Sequence, residues 1–181
     1  MRCDFFCGGL LALMLALPCA AQSGDKKAEV PGARGPAPKP VVAAPIKQSN
    51  LSPVEQKMVA AGKANYELFC LPCHQAHGLG QEGLAPPLAG SEWVSGSEQR
   101  IIRIVLHGLR GPIKVKGQPF DLDMPALGVL DDEQISTVLT YIRNEWGHAY
   151  PPVTAATVKK VREQTAERAD SWTQEELLKI K

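Results

Sequence analysis

The clearest periodicity in the chain places Ile135, Val138, Leu139, Ile142 and Trp146 on one face of a helix, directly behind Asp131-Asp132-Glu133-Gln134. A carboxylate cap and an acidic first turn start that helix, and Gly147 is expected to end it. An earlier helix is expected to run from the cap Ser52 to about Phe69, with Pro53 at its first position and Glu55 three residues after the cap. Met58, Ala61, Gly62, Ala64, Tyr66 and Phe69 supply its apolar and small positions. Between the two, Ser97 to Leu106 is apolar enough for a buried helix stopped by Gly108, although the β-branching of Ile101, Ile102, Ile104 and Val105 leaves a strand open. Glycine, proline and turn residues from Gly108 to Asp123 predict a loop or a small hairpin.

Outside this pattern the chain changes character. Residues 1–21 read as a secretory signal, with Arg2 as a basic start, Phe5 to Leu17 as an apolar core and Cys19-Ala20-Ala21 as a cleavage site. The core is shorter than the roughly 20 residues that span a bilayer, so no transmembrane segment is expected after signal removal. A lipid-modified Cys19 is the competing reading, and Pro18 before it disfavours that. Residues 22–50 form a linker rich in Pro, Ala and Lys, with too little apolar surface to offset the entropy of ordering. The folded domain is placed at residues 51–150. Residues 151–181 are a polar tail, with Thr173 and Glu176 as a capping box over Leu177, Leu178 and Ile180. The tail is free either to pack on the core or to dock to a partner.

Charge adds one qualification. The whole chain carries +1, but residues 51–150 hold eight Lys and Arg against eleven Asp and Glu. An acidic core of this kind lacks the basic field of a nucleic-acid binder, and nucleic acid is not an expected partner.

The candidate chemistry is concentrated in Cys70-Leu71-Pro72-Cys73-His74. A C-x-x-C-H run suits covalent haem attachment, because two thiols on one tight turn can each form a thioether to a haem vinyl group while the histidine is delivered to the iron. A thioredoxin-like disulfide site needs its C-x-x-C between a strand and a helix, and the preceding segment is helical. A zinc site would recruit Cys70, Cys73 and His77, with His107 as a candidate fourth ligand, without a second C-x-x-C or an H-x-x-x-H to complete it. Cys3, Cys7 and Cys19 leave with the signal, so the mature chain keeps only the two cysteines of the motif. Met124 is the sole methionine after His74 and a candidate sixth ligand, with His107 as the alternative to test. His77 and His148 read as ordinary histidines.

From Val54 to Gly147 the sequence resembles the small class I cytochromes c. The likeness rests on Gly62 and Tyr66, then C-x-x-C-H, then Gly83-Leu84-Ala85-Pro86-Pro87-Leu88, Met124-Pro125-Ala126-Leu127, and Leu139-Thr140-Tyr141-Ile142-Arg143-Asn144, in the family's order. The resemblance implies an all-α fold with crossed N- and C-terminal helices around one covalently attached haem c. It implies that Cys70 and Cys73 are the attachments, His74 the proximal ligand and Met124 the distal one. It also implies that a carbonyl at Pro86 or Pro87 orients His74, that Leu88 lines the haem and that Trp93 contacts a propionate. The Pro-rich lead and tail resemble cytochrome modules of exported quinoprotein dehydrogenases. The implied function is periplasmic, non-enzymatic electron transfer from such a dehydrogenase toward a terminal oxidase. A small-molecule sensor or peroxidase-like enzyme with a displaceable Met124 is the other class kept open.

Overall fold

Three helices start on reciprocal caps. The structure, a computed structural model, describes residues 51–181; the expected signal and linker lie outside the described residues. Ser52, Asp131 and Thr173 each accept from the backbone three residues on, and Glu55, Gln134 and Glu176 each reach back to the cap N–H. They open α1 (Pro53–Phe69), α5 (Asp132–Ile142) and α7 (Gln174–Leu178). Asp131→Ala removes one such pair, and a loss of about 1 kcal/mol is expected in urea titration of the holoprotein.

The order is completed by α2 (Leu71–His74), α3 (Glu92–Ser95), α4 (Glu98–His107), β1 (Pro112–Val115), β2 (Gln118–Asp121) and α6 (Ala155–Gln164). The segment whose β-branching left a strand open is α4, and the glycine-rich stretch after it is an antiparallel hairpin pairing Ile113 with Phe120. The described fold is therefore helical apart from this hairpin and isolated bridges.

Helix α1 packs most extensively on α5. Gly62 makes that approach possible: a Cβ there would run into the Thr137 carbonyl and stand 2.8 Å from Tyr141 Cβ. Beside it the Tyr66 ring lies 5.3 Å from those of both Tyr141 and Trp146. The main core continues through Ile102, Ile135, Val138 and Leu139 to Val153, Val158 and Val161. A second cluster joins Ile104, Leu109, Ile113, Val115 and Leu177, and Met124 packs against both. Burying each such aliphatic side chain is worth roughly 1.5–3 kcal/mol.

Two expectations need correction or completion. The last core helix does not continue to Gly147; it ends at Ile142. The Asn144 amide takes the carbonyls of Thr140 at 2.9 Å and Tyr150 at 3.0 Å, and Tyr150 N–H donates to Arg143. Trp146 then turns left-handed, with φ 50°, which directs its indole N–H to the Ala76 carbonyl. The tail packs on the core, and it contains α6, which the sequence pattern did not disclose.

Candidate functional site

Cys70 closes α1 and opens α2, so the C-x-x-C-H run is one helical turn hung from the end of the longest described helix. The Cys70 carbonyl accepts from Cys73 N–H at 3.2 Å and from His74 N–H at 2.9 Å. That turn puts Cys70, Cys73 and His74 in one place. The next residue, Gln75, breaks the helix with φ 62°, and its carbonyl accepts from the Tyr66 hydroxyl at 2.7 Å. The turn is thereby tied back to the α1–α5 seam.

The thiols are free and half-buried. Burial, with a smaller contribution from Cys73, pushes the Cys70 thiol up to about 12. A thiol held neutral is the opposite of the lowered pKa that activates a thioredoxin-like cysteine.

His74 is buried, and its Nδ1 stands 3.0 Å from the Pro86 carbonyl. Burial lowers its pKa, partly opposed by that carbonyl bond, so the ring is held neutral. A neutral imidazole whose Nδ1–H donates to a carbonyl presents Nε2 as its ligating nitrogen. The loop that delivers Pro86 folds back on itself, with Leu88 N–H and Ala89 N–H both donating to the Gly78 carbonyl at 2.7 and 2.9 Å.

The other candidates divide. Pro87 and Leu88 follow Pro86 in the same half-buried loop, and Leu88 borders the main core. Met124 lies in an extended segment bonded to Leu109 on both sides of its peptide unit. Trp93 gives its indole N–H to the Lys114 carbonyl at 2.8 Å and packs against the second cluster. His107 Nε2 is 2.7 Å from the Thr165 hydroxyl and its ring lies edge-on to Trp172, so it belongs to the tail contact. His77 is exposed and accepts from Leu79 N–H. Among the described residues no group of three or more His, Cys, Asp or Glu converges as a metal site.

His148, an ordinary histidine by its sequence, is a satisfied one with a structural part. It is buried, and its Nε2 faces both the Gly90 N–H at 3.2 Å and the Leu88 carbonyl at 3.0 Å, so either tautomer at that nitrogen, accepting from the one or donating to the other, fastens the loop that contains Pro86 to the end of the core. Nothing local in its sequence signals this, because the partners are remote in the chain.

The donor set fits a covalently held haem. Two free thiols share one turn, an imidazole is oriented with Nε2 available, and a thioether lies on a separate segment. Cys70, Leu88 and Met124 pack against the main core while each stays only partly buried, which leaves apolar surface for a bound apolar group. No described helix is long and apolar enough to cross a membrane.

Comparison with known proteins agrees. The family model described as Cytochrome c matches residues 59–146. The chain is 40% identical over 102 residues to cytochrome c-552 of Thermus thermophilus, covering 51% of this chain and 78% of that protein. It is 29% identical over 161 residues to the fructose dehydrogenase cytochrome subunit of Gluconobacter japonicus, covering 84% of this chain but 32% of that subunit. It is 33% identical over 108 residues to the cytochrome c subunit of a quinone alcohol dehydrogenase from Gluconacetobacter polyoxogenes, covering 58% and 23%. With the C-x-x-C-H run on one turn, an oriented histidine at its end and these matches across the folded core, the chain belongs to the cytochrome c family, electron carriers whose haem c is covalently bound.

Proposed function

We propose that the protein is an exported, periplasmic, monohaem electron carrier in which Cys70 and Cys73 are the attachment residues and His74 and Met124 the axial ligands. Helix α1 crosses α5 at Gly62 in this reading. The single observation that carries it is the 3.0 Å contact between His74 Nδ1 and the Pro86 carbonyl, which commits Nε2 to the iron and makes the imidazole a better donor. Haem bound there supplies one-electron exchange between ferrous and ferric iron. The thioether of Met124 favours the ferrous state and keeps the sixth position from substrates, so the chain passes electrons rather than transforming a molecule.

The donor is a dehydrogenase of the quinoprotein class and the acceptor a terminal oxidase. Support for the donor comes from relatives named as cytochrome subunits of fructose and alcohol dehydrogenases, although the chain spans only 32% and 23% of those two. Residues 51–150 are net acidic before the propionates are counted, so the strongly basic docking composition of many relatives is not matched here, while a local charged patch can still steer docking.

Visible spectroscopy of the haem-loaded protein tests the ligand set. Met124→Ala is expected to abolish the weak long-wavelength ferric band that an iron-bound thioether produces, and to let the ferrous protein bind carbon monoxide. Ready carbon monoxide binding by the unsubstituted protein would overturn the reading in favour of a sensor or peroxidase-like site.

A further inference from the structure

The tail makes contacts that electron transfer does not require. Arg162, on α6, donates from Nη1 to the Gly128 carbonyl and from Nη2 to the Leu130 carbonyl, both at 2.7 Å. Its Nε donates to the Asp132 carboxylate at 2.8 Å. Those carbonyls belong to the short segment that leads from Met124 into α5. Along that segment Leu127 N–H donates to Val105, while Pro125, Ala126 and Val129 are exposed.

The other flank of Met124 is held by the same tail. Leu109 N–H donates to the Met124 carbonyl at 3.0 Å, and Met124 N–H donates back at 2.8 Å. On the far side of Leu109, Trp172 N–H donates to the Gly108 carbonyl at 3.0 Å, and Arg110 N–H donates to the Trp172 carbonyl at 2.8 Å. Leu109 is thus the middle of three extended segments, antiparallel to Met124 and parallel to Trp172. Trp172 is itself fixed, with the Arg168 guanidinium 3.5 Å over its ring and Arg168 paired to Glu176 at 2.9 Å. Gly108 adopts φ 78°, and a Cβ there would collide with the Met124 carbonyl, so the segments are as close as backbones allow.

We infer that residues 155–178 form a brace that positions Met124, with Arg162 and Trp172 as positioning residues on its two flanks. The inference rests on Met124 being the sixth ligand. A loop with few buried contacts opens locally at low free energy, and charge-assisted bonds to its carbonyls raise the cost of opening. The forked guanidinium bridges two carbonyls at once, which an ammonium cannot do. Removing the fork therefore increases the population in which the thioether has left the iron.

The test measures carbon monoxide association with the ferrous holoprotein, well below its melting temperature, together with the long-wavelength ferric band. Arg162→Ala and Trp172→Ala are each expected to speed association about tenfold and weaken the band. Arg162→Lys should fall between Arg162→Ala and the unsubstituted protein, and it carries the comparison alone if Arg162→Ala does not accumulate. Val59→Ala on α1 is the control: it should lower the melting temperature without changing association. The brace is overturned if the Arg162 and Trp172 variants take up carbon monoxide no faster than Val59→Ala while Met124→Ala takes it up freely. If Met124→Ala alters neither signal, the ligand assignment fails first and the brace with it.

Discussion

Gly62→Leu is expected to lower the melting temperature of the holoprotein by roughly 10 °C or more, although helix propensity alone favours leucine over glycine by nearly 1 kcal/mol. The two effects have opposite sign, and their sizes decide the outcome. A Cβ at position 62 meets the Thr137 carbonyl and Tyr141 Cβ, neither of which is the loose end of a flexible side chain. Relief requires α1 and α5 to separate, which strips packing from Tyr66, Val138 and Tyr141 together. Overpacking of this kind typically costs about 1–3 kcal/mol, and more where backbone must move. Gly62→Ala places the same Cβ and should show most of the loss. An unchanged melting temperature in Gly62→Leu would sink the assignment of this glycine to the helix contact.

The second large effect concerns the cofactor. A Cys70→Ser, Cys73→Ser chain, expressed without attached haem, is expected to lose its single sharp unfolding transition and to bind a hydrophobic dye at neutral pH. Aromatic residues make up only 6% of the sequence, so large rings contribute little interior of their own. Cys70, Leu88 and Met124 are only partly buried against the core, and His74 is a buried polar ring bonded through Nδ1 alone. Haem would cover those side chains and engage that ring. Near-ultraviolet circular dichroism and urea titration provide the check, and a compact, cooperatively unfolding haem-free chain would contradict the expectation.

What could be read beforehand was local. Cap and reciprocating side chain three residues apart announced α1 and α7, and the acidic cap with the apolar spacing behind it announced α5, because such signals need no tertiary context. The C-x-x-C-H turn was legible for the same reason. Helix α6 was not: two valines, Val158 and Val161, are all that it buries, and they gain their meaning only from Val153, Leu130 and α5 beneath them. Trp146 misled in the opposite direction. Its spacing continued the helix, yet its ring is placed against Tyr66 and Tyr141 by a left-handed residue just past the helix end. Pro86, His148 and Arg162 all act through partners distant in sequence, and periodicity does not register such pairs. For Pro86 the resemblance supplied the suggestion that spacing lacked; for Arg162 nothing did.

The mixed three-segment arrangement about Leu109 joins parts of the chain that lie far apart in sequence. The C-x-x-C-H turn and the end of α1 are adjacent in the chain and form through local contacts, whereas Gly108–Arg110 meets Trp172 only by closing a long loop. The α1–α5 seam, where Trp146 meets Tyr66, closes a loop at least as long, so both sets of contacts raise the contact order and slow folding as a whole. Trp172, stacked under Arg168, and Trp146, on the α1–α5 seam, therefore report by fluorescence on two separate long-range closures.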